Sequence, residues 1–194
     1  LYQSSQSVYP AAGIVAEPPD PEPVRPGPYD PLSGKMFSWA VLILPQMEQM
    51  SLHDRFDFNR SILEQRLDPQ DTHVNTLLCP SDSAHDRSYT DDSFTQGKRF
   101  GKGNYAAFVS PDHIDVQSRF PGALVGLGRR LPVHMTDGLS NILLFSEVRT
   151  RAALRDQRGA WALPWAGSSL LSFDMHHIRF FSRYGETYVP NPTS

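Results

Sequence analysis

The chain has 194 residues, with 18 Lys and Arg against 21 Asp and Glu, a formal net charge of −3. It holds no basic excess to neutralise a phosphate backbone, which argues against nucleic acid as a partner, and no acidic tail or basic block stands out. The 17 prolines, 13 glycines and single cysteine exclude a helical-repeat chain and any disulfide framework within it.

An apolar share of 39% in a chain of this length predicts one domain over residues 1–194 with a sizeable core. Residues 1–13 (LYQSSQSVYPAAG) space Tyr2, Gln6 and Tyr9 as at the close of a helix entering from upstream, and Pro10 stops the pattern. Residues 14–36 read as a proline-rich loop or linker. Seven prolines lie within 16–33, and that density suits polyproline-like backbone. Val24 and Tyr29 suggest that the loop lies on the domain surface.

The apolar run 41–44 predicts a buried strand or the approach to a helix, with Pro45 in a first helical turn. Met47, Met50 and Phe56 would face inward from that helix. A second short helix is expected around 60–67, with Ile62, Leu63 and Leu67 inward and Asp68-Pro69 ending it. Residues 74–82 (VNTLLCPSD) read as a short buried strand. Residues 83–103 read as an exposed polar loop, and 101–111 (GKGNYAAFVSP) as a strand. Two strands are expected around an Asp137-Gly138 turn within 131–148, with 141–148 as a central strand or the face of a short helix, and a further aromatic strand over 158–165. Phe180, Phe181, Tyr184 and Tyr188 are expected as packing groups.

The residues that could carry chemistry each have a simpler structural reading. Cys79 reads as a small buried hydrophobe or as half of a bridge to a cysteine outside this region. Asp82 nearby would raise its thiol pKa, where a nucleophile needs it lowered. Asp91 and Asp92 are calcium-loop candidates, since hard carboxylate oxygens on a polar loop suit that ion. Asp68, Asp71 and His73 could bind a divalent ion, but a solvated turn is the simpler reading. His176-His177 would point to opposite faces of a strand. Gly167-Ser168-Ser169 with His176 has the ingredients of a serine hydrolase without the elbow sequence. Gly126, Gly128, Arg129 and Arg130 form a weak anion nest at most. His134 is expected to brace a turn through its ring. Trp161 and Trp165, with Trp39, are expected to be buried, with a glycan platform at Trp161 and Trp165 as the alternative.

Seven stretches, in order, resemble one family: LYQSSQSVYPAAG (1–13), SWAVLILPQMEQ (38–49), VNTLLCPSD (74–82), GKGNYAAFVSP (101–111), FPG (120–122), MTDGLSNILLFSEV (135–148) and RGAWALPW (158–165). Together they are similar to the planctomycete-type domain of unknown function found in prepilin-like proteins. The resemblance implies a type IV pilin or pseudopilin head, assembled with itself or with other pilin-like subunits through a hydrophobic N-terminal helix that is missing here. It implies export to the cell surface, the extracellular space or the periplasm. It carries over no catalytic residues.

The expectation is therefore an α+β pilin-like head: short N-terminal helices plus an antiparallel sheet with long Pro/Gly-rich loops. Asp137, Gly138, Ser140, Asn141 and Glu147 would hold a structural turn, and Glu147 would need Arg149, Arg151 or a backbone donor if buried. The function expected is structural and non-enzymatic, with no catalytic residue, no metal beyond the calcium loop and no cofactor. An extracellular module binding glycan or protein is the first alternative, and a hydrolase the second.

Overall fold

A computed structural model of the chain describes residues 7–15, 31–83, 86–114, 117, 119–126, 130–135 and 138–174. Residues 7–15 begin with Ser7 in left-handed backbone (φ 59°) and lead into a strand; Tyr2 and Gln6 of the expected helix end lie outside the described residues. Tyr9 N donates to Arg130 O and Ala12 N to Val125 O, and β1 (Gly13–Ile14) pairs antiparallel with β2 (Phe37–Ser38). The proline-rich stretch is thus closed at its base by a ladder that includes Ile14; residues 16–30 lie outside the described residues.

The apolar run at 41–44 coils instead of extending. α1 (Trp39–Leu42) buries Trp39, Ala40 and Val41, and a 3-10 turn, Leu44–Met47, follows with Pro45 in its first turn. A missing N–H costs little there, because first-turn amides have no acceptor within the helix. Glu48 then takes a left-handed backbone (φ 61°), and α2 (Met50–His53) follows. Leu52 and Phe56 reach the core, whereas Met50 is exposed.

The helix expected over 60–67 shrinks to a 3-10 turn, Ile62–Glu64. Gln65 explains the stop: its amide nitrogen donates to the Asp57 and Ser61 carbonyls, and its oxygen accepts from Asp57 N. That side chain ties the segment into a turn, so Ile62 is buried but Leu67 is exposed. Pro69 opens a further 3-10 turn, Pro69–Asp71. The strand expected over 74–82 is instead a 3-10 turn, Asn75–Leu77, with Leu77 and Cys79 buried.

The polar stretch 83–103 is more ordered than its composition suggests. β3 (Ser88–Tyr89) pairs antiparallel with β4 (Phe100–Gly101), and α3 (Asp92–Thr95) lies between them. Ser88, Tyr89, Thr95, Phe100 and Lys102 are all buried. The expected strand at 101–111 is present as β5 (Tyr105–His113).

β5 is the centre of a three-stranded sheet in the order β6–β5–β7, with β6 at Phe145–Glu147 and β7 at Leu170–Asp174. β6 runs antiparallel to β5, but β7 runs parallel to it. The all-antiparallel expectation is therefore corrected. The connection from β5 to β7 passes through β6 and the loops around it, and that length is what a parallel neighbour requires. Ala107 and Val109 of β5 and Leu170 of β7 join the core, the alternation a strand imposes.

Of the two strands expected over 131–148, β6 is the one present among the described residues. Pro132–His134 and Leu139–Asn141 are 3-10 turns. β6 is an edge strand, and its Glu147 is exposed, so it does not need the buried partner expected for it. Residues 158–165 make turns, with a single bridge from Ala160 to Lys102. Gly159 has φ +78°, and a Cβ there would lie 2.1 Å from Gly103 O. Backbone therefore packs on backbone at that point, and only glycine fits. The architecture is α+β, with a few one-turn helices and small antiparallel and mixed sheets around a core that includes Phe37, Leu44, Phe100, Trp161 and Leu163.

Candidate functional site

Two loops that are distant in sequence meet beside Asn104. Its backbone N–H donates to Leu77 O (2.7 Å) and its carbonyl accepts from Val148 N (2.7 Å). Its side-chain oxygen accepts from Cys79 N at 2.9 Å. Its side-chain nitrogen donates to Asp82 Oδ2 at 2.6 Å and to Val148 O at 3.1 Å. One buried asparagine thus replaces the strand partner that residues 77–82 lack and fixes them against the chain leaving β6. Each such bond contributes about 1 kcal/mol net, and leaving a buried donor unmet costs about 1–3 kcal/mol.

Lys102, two residues earlier, is 1% exposed. Its ammonium donates to the carbonyls of Arg151 (2.8 Å) and Ala153 (3.1 Å). Burial pushes its pKa down to about 8; Asp156 pulls the other way, and Arg87 and Arg158 push further down. Arg87 Nη1 donates to Thr150 O at 2.7 Å and to Thr150 Oγ1 at 3.0 Å. Arg158 and Asp156 form a buried pair: Arg158 Nε donates at 2.9 and 3.1 Å to the two carboxylate oxygens, and Nη2 donates to Oδ2. Burial pushes the Asp156 carboxyl up, but the hydrogen bonds and charge of Arg158 outweigh that and hold it below its usual value.

These loops enclose a cleft of about 530 Å³, with Asp82, Ser83 and Arg87 on one side and Arg149, Arg151 and Arg158 on the other. Arg149 and Arg151 are exposed. The polar, arginine-rich walls suit an anion, because a guanidinium presents its N–H donors in a planar fork that matches oxyanions. Four arginines fall within the ten residues 149–158. That density is the sequence signal for the cleft.

The structure distributes the sequence-predicted residues elsewhere. Asp91 caps α3, accepting from Ser93 N and Phe94 N, and Asp92 lies in that helix. Asp68 pairs with Lys98, whose hydrogen bond lowers its pKa. Asp71 accepts from Ser88 Oγ and pairs with Arg99. His73 Nε2 lies 2.9 Å from Arg87 O. Among the described residues no group of three or more His, Cys, Asp or Glu is placed to hold a metal ion.

Cys79 is buried with a free thiol whose Sγ lies 3.0 Å from Ser81 Oγ. His134 is exposed and braces its own turn by accepting from Leu131 N at 3.3 Å. Ser169 Oγ donates to Leu163 O, and Ser168 is fully buried, so neither presents a nucleophile. Arg130 donates to the carbonyls of Pro121, Gly122 and His134, and Gly126 N donates to Gln117 Oε1. Residues 127–129, Thr136, Asp137, His176, His177, Phe180, Phe181, Tyr184 and Tyr188 lie outside the described residues. Of the expected turn, Gly138 takes φ +84° and opens the 3-10 turn holding Ser140 and Asn141.

The tryptophans are core groups. Trp161 is 1% and Trp165 5% exposed, which removes the glycan platform. All three indoles also anchor loops: Trp39 donates to Ser169 O, Trp161 to Thr72 O and Trp165 to Pro31 O, at 2.9–3.0 Å. Among the described residues no helix is long and apolar enough to cross a membrane. A family model described as "Protein of unknown function (DUF1559)" matches residues 1–179. No curated protein and no solved structure matches the chain.

Proposed function

The chain belongs to the DUF1559 family, proteins of unknown function, and from that premise we propose that it is a structural or interaction module of the bacterial cell surface, resembling a type IV pilin or pseudopilin head. In this reading it is exported, not an enzyme, uses no cofactor and assembles with its own kind or with other pilin-like subunits. The observation that carries the reading is how buried polar side chains are used. Lys102, Asn104, Ser38 and the indole nitrogens all bond to the backbone of loops distant in sequence. A fold of short elements that fixes long loops in this way is suited to display.

The test is fractionation of the source bacterium with an antibody against this segment. The expected result is recovery in the sheared surface or envelope fraction, in particles larger than a monomer. Recovery as a cytosolic monomer overturns the proposal. The arginine-lined cleft favours a second reading, a module that binds a ligand at the surface.

A further inference from the structure

We infer that the cleft lined by Asp82, Ser83, Arg87, Arg149, Arg151 and Arg158 binds a phosphate or sulfate group, either as the free ion or carried as an ester. This stands independently of the filament reading. The chain is net acidic, yet the described residues that line this cleft include four arginines, Arg87, Arg149, Arg151 and Arg158, and one carboxylate, Asp82, with Lys102 and Asp156 packed nearby. Both carboxylates are already engaged, Asp82 by Asn104 and Asp156 by Arg158.

Two of the cations are also held in place before any ligand arrives. Arg87 is fixed to Thr150 through Nη1 alone, which leaves its Nε and Nη2 donors for a ligand. The Arg158 fork is clamped by Asp156. Side chains already immobilised lose little entropy on binding. Lys102 lies behind the wall and holds the carbonyls of Arg151 and Ala153, setting the backbone from which Arg149 and Arg151 project. A carboxylate or phosphate accepts two parallel bonds from a guanidinium, and such charge-assisted bonds are about twice as strong as neutral ones. The volume of about 530 Å³ exceeds a bare tetrahedral ion and leaves room for the body of an ester, within the usual range of small-molecule sites, about 300–1,000 Å³.

The experiment is an NMR titration of the arginine Nε–Hε signals with sodium phosphate, sodium sulfate and glucose 6-phosphate, against sodium chloride at matched ionic strength. Saturable shifts are expected with the divalent oxyanions and not with chloride. In the R149Q/R151Q double variant the affinity should fall at least tenfold, while the exposed control R66Q keeps it. Arg149, Arg151 and Arg66 are all exposed, so the variants should fold, and a melting curve checks this; Arg87→Gln gives an independent second variant on the opposite wall. Tighter binding of glucose 6-phosphate than of phosphate assigns the ester, and the reverse order assigns the free ion. Shifts that follow ionic strength alone, or an unchanged affinity in both R149Q/R151Q and Arg87→Gln, overturn the site.

Discussion

The aromatic side of the core and the bracket around Asn104 hold the same chain by different physics. In the first, Phe37 packs edge-on to Phe56 (6.0 Å, 87°), and Phe56 packs edge-on to Trp161 (6.3 Å, 86°). This is area burial with a mild geometric preference. In the second, one asparagine side chain and one lysine side chain satisfy backbone groups on two loops. The first contributes most of the stability and tolerates exchange of apolar groups. The second contributes less and sets where the loops lie. Breaking the first should show the largest effect. Trp161→Ala is expected to lower unfolding free energy by about 3–5 kcal/mol, as for other buried large-to-small aromatic changes. Trp161→Phe keeps the ring but loses the bond to Thr72 O, and should cost less than half as much. Urea denaturation measures both. Near-equal losses for Ala and Phe would mean that the indole N–H, and not area, governs this region.

Asn104→Ala sharpens the contrast. It leaves Cys79 N–H without its acceptor and removes the donor to Asp82 and Val148, so a loss of about 2–3 kcal/mol is expected. The difference from the tryptophan variant should appear in the cleft. Asn104→Ala should change the Arg87 and Arg149 side-chain signals in the folded protein, because the side-chain bonds to Asp82 and to Val148 O are lost. Trp161→Phe should leave them in place. If both variants leave the cleft signals unchanged, Asn104 stabilises the fold without positioning the loops.

The same contrast explains what the sequence made legible. Apolar runs report burial directly, so the core residues Val41, Leu44, Ile62 and Trp161, the β5 strand and the α+β class could be read from pattern. Conformation within those runs could not. Residues 75–79 need no strand partner because Asn104, far along the chain, bonds Leu77 O through its backbone and Cys79 N through its side chain. Gln65 shortens a helix by local bonds, to the Asp57 and Ser61 carbonyls. The direction of β7 depends on a long connection that carries no local signal. The cleft as a whole has no local signal because its walls come from two segments: the cluster 149–158 reads as scattered charge until Asp82, Ser83 and Arg87 are placed beside it. Lys102 had no sequence signal of burial, since it lies between two glycines in a polar stretch.

That buried lysine gives the smallest and most specific test. Its pKa is pushed down to about 8, first by burial, whereas an unfolded lysine titrates near 10.4. Between these values the unfolded chain binds more protons than the folded one, so stability rises with pH across the window and the contribution is lost as pH falls toward 8. An increase on the order of 1 kcal/mol between pH 8 and pH 10 is expected. The window should stop there, because burial raises the Tyr89 phenol above its usual value, and a raised group loses its stabilising contribution once pH passes 10. Lys102→Met removes the titration, so its stability should be flat over the same range and lower at pH 9, with the Arg151 and Ala153 carbonyls unmet. Urea midpoints at half-unit pH intervals for both proteins decide it. A wild-type profile parallel to that of Lys102→Met would show that the ammonium is solvated, and that the loop carrying Arg149 and Arg151 is held by something other than Lys102.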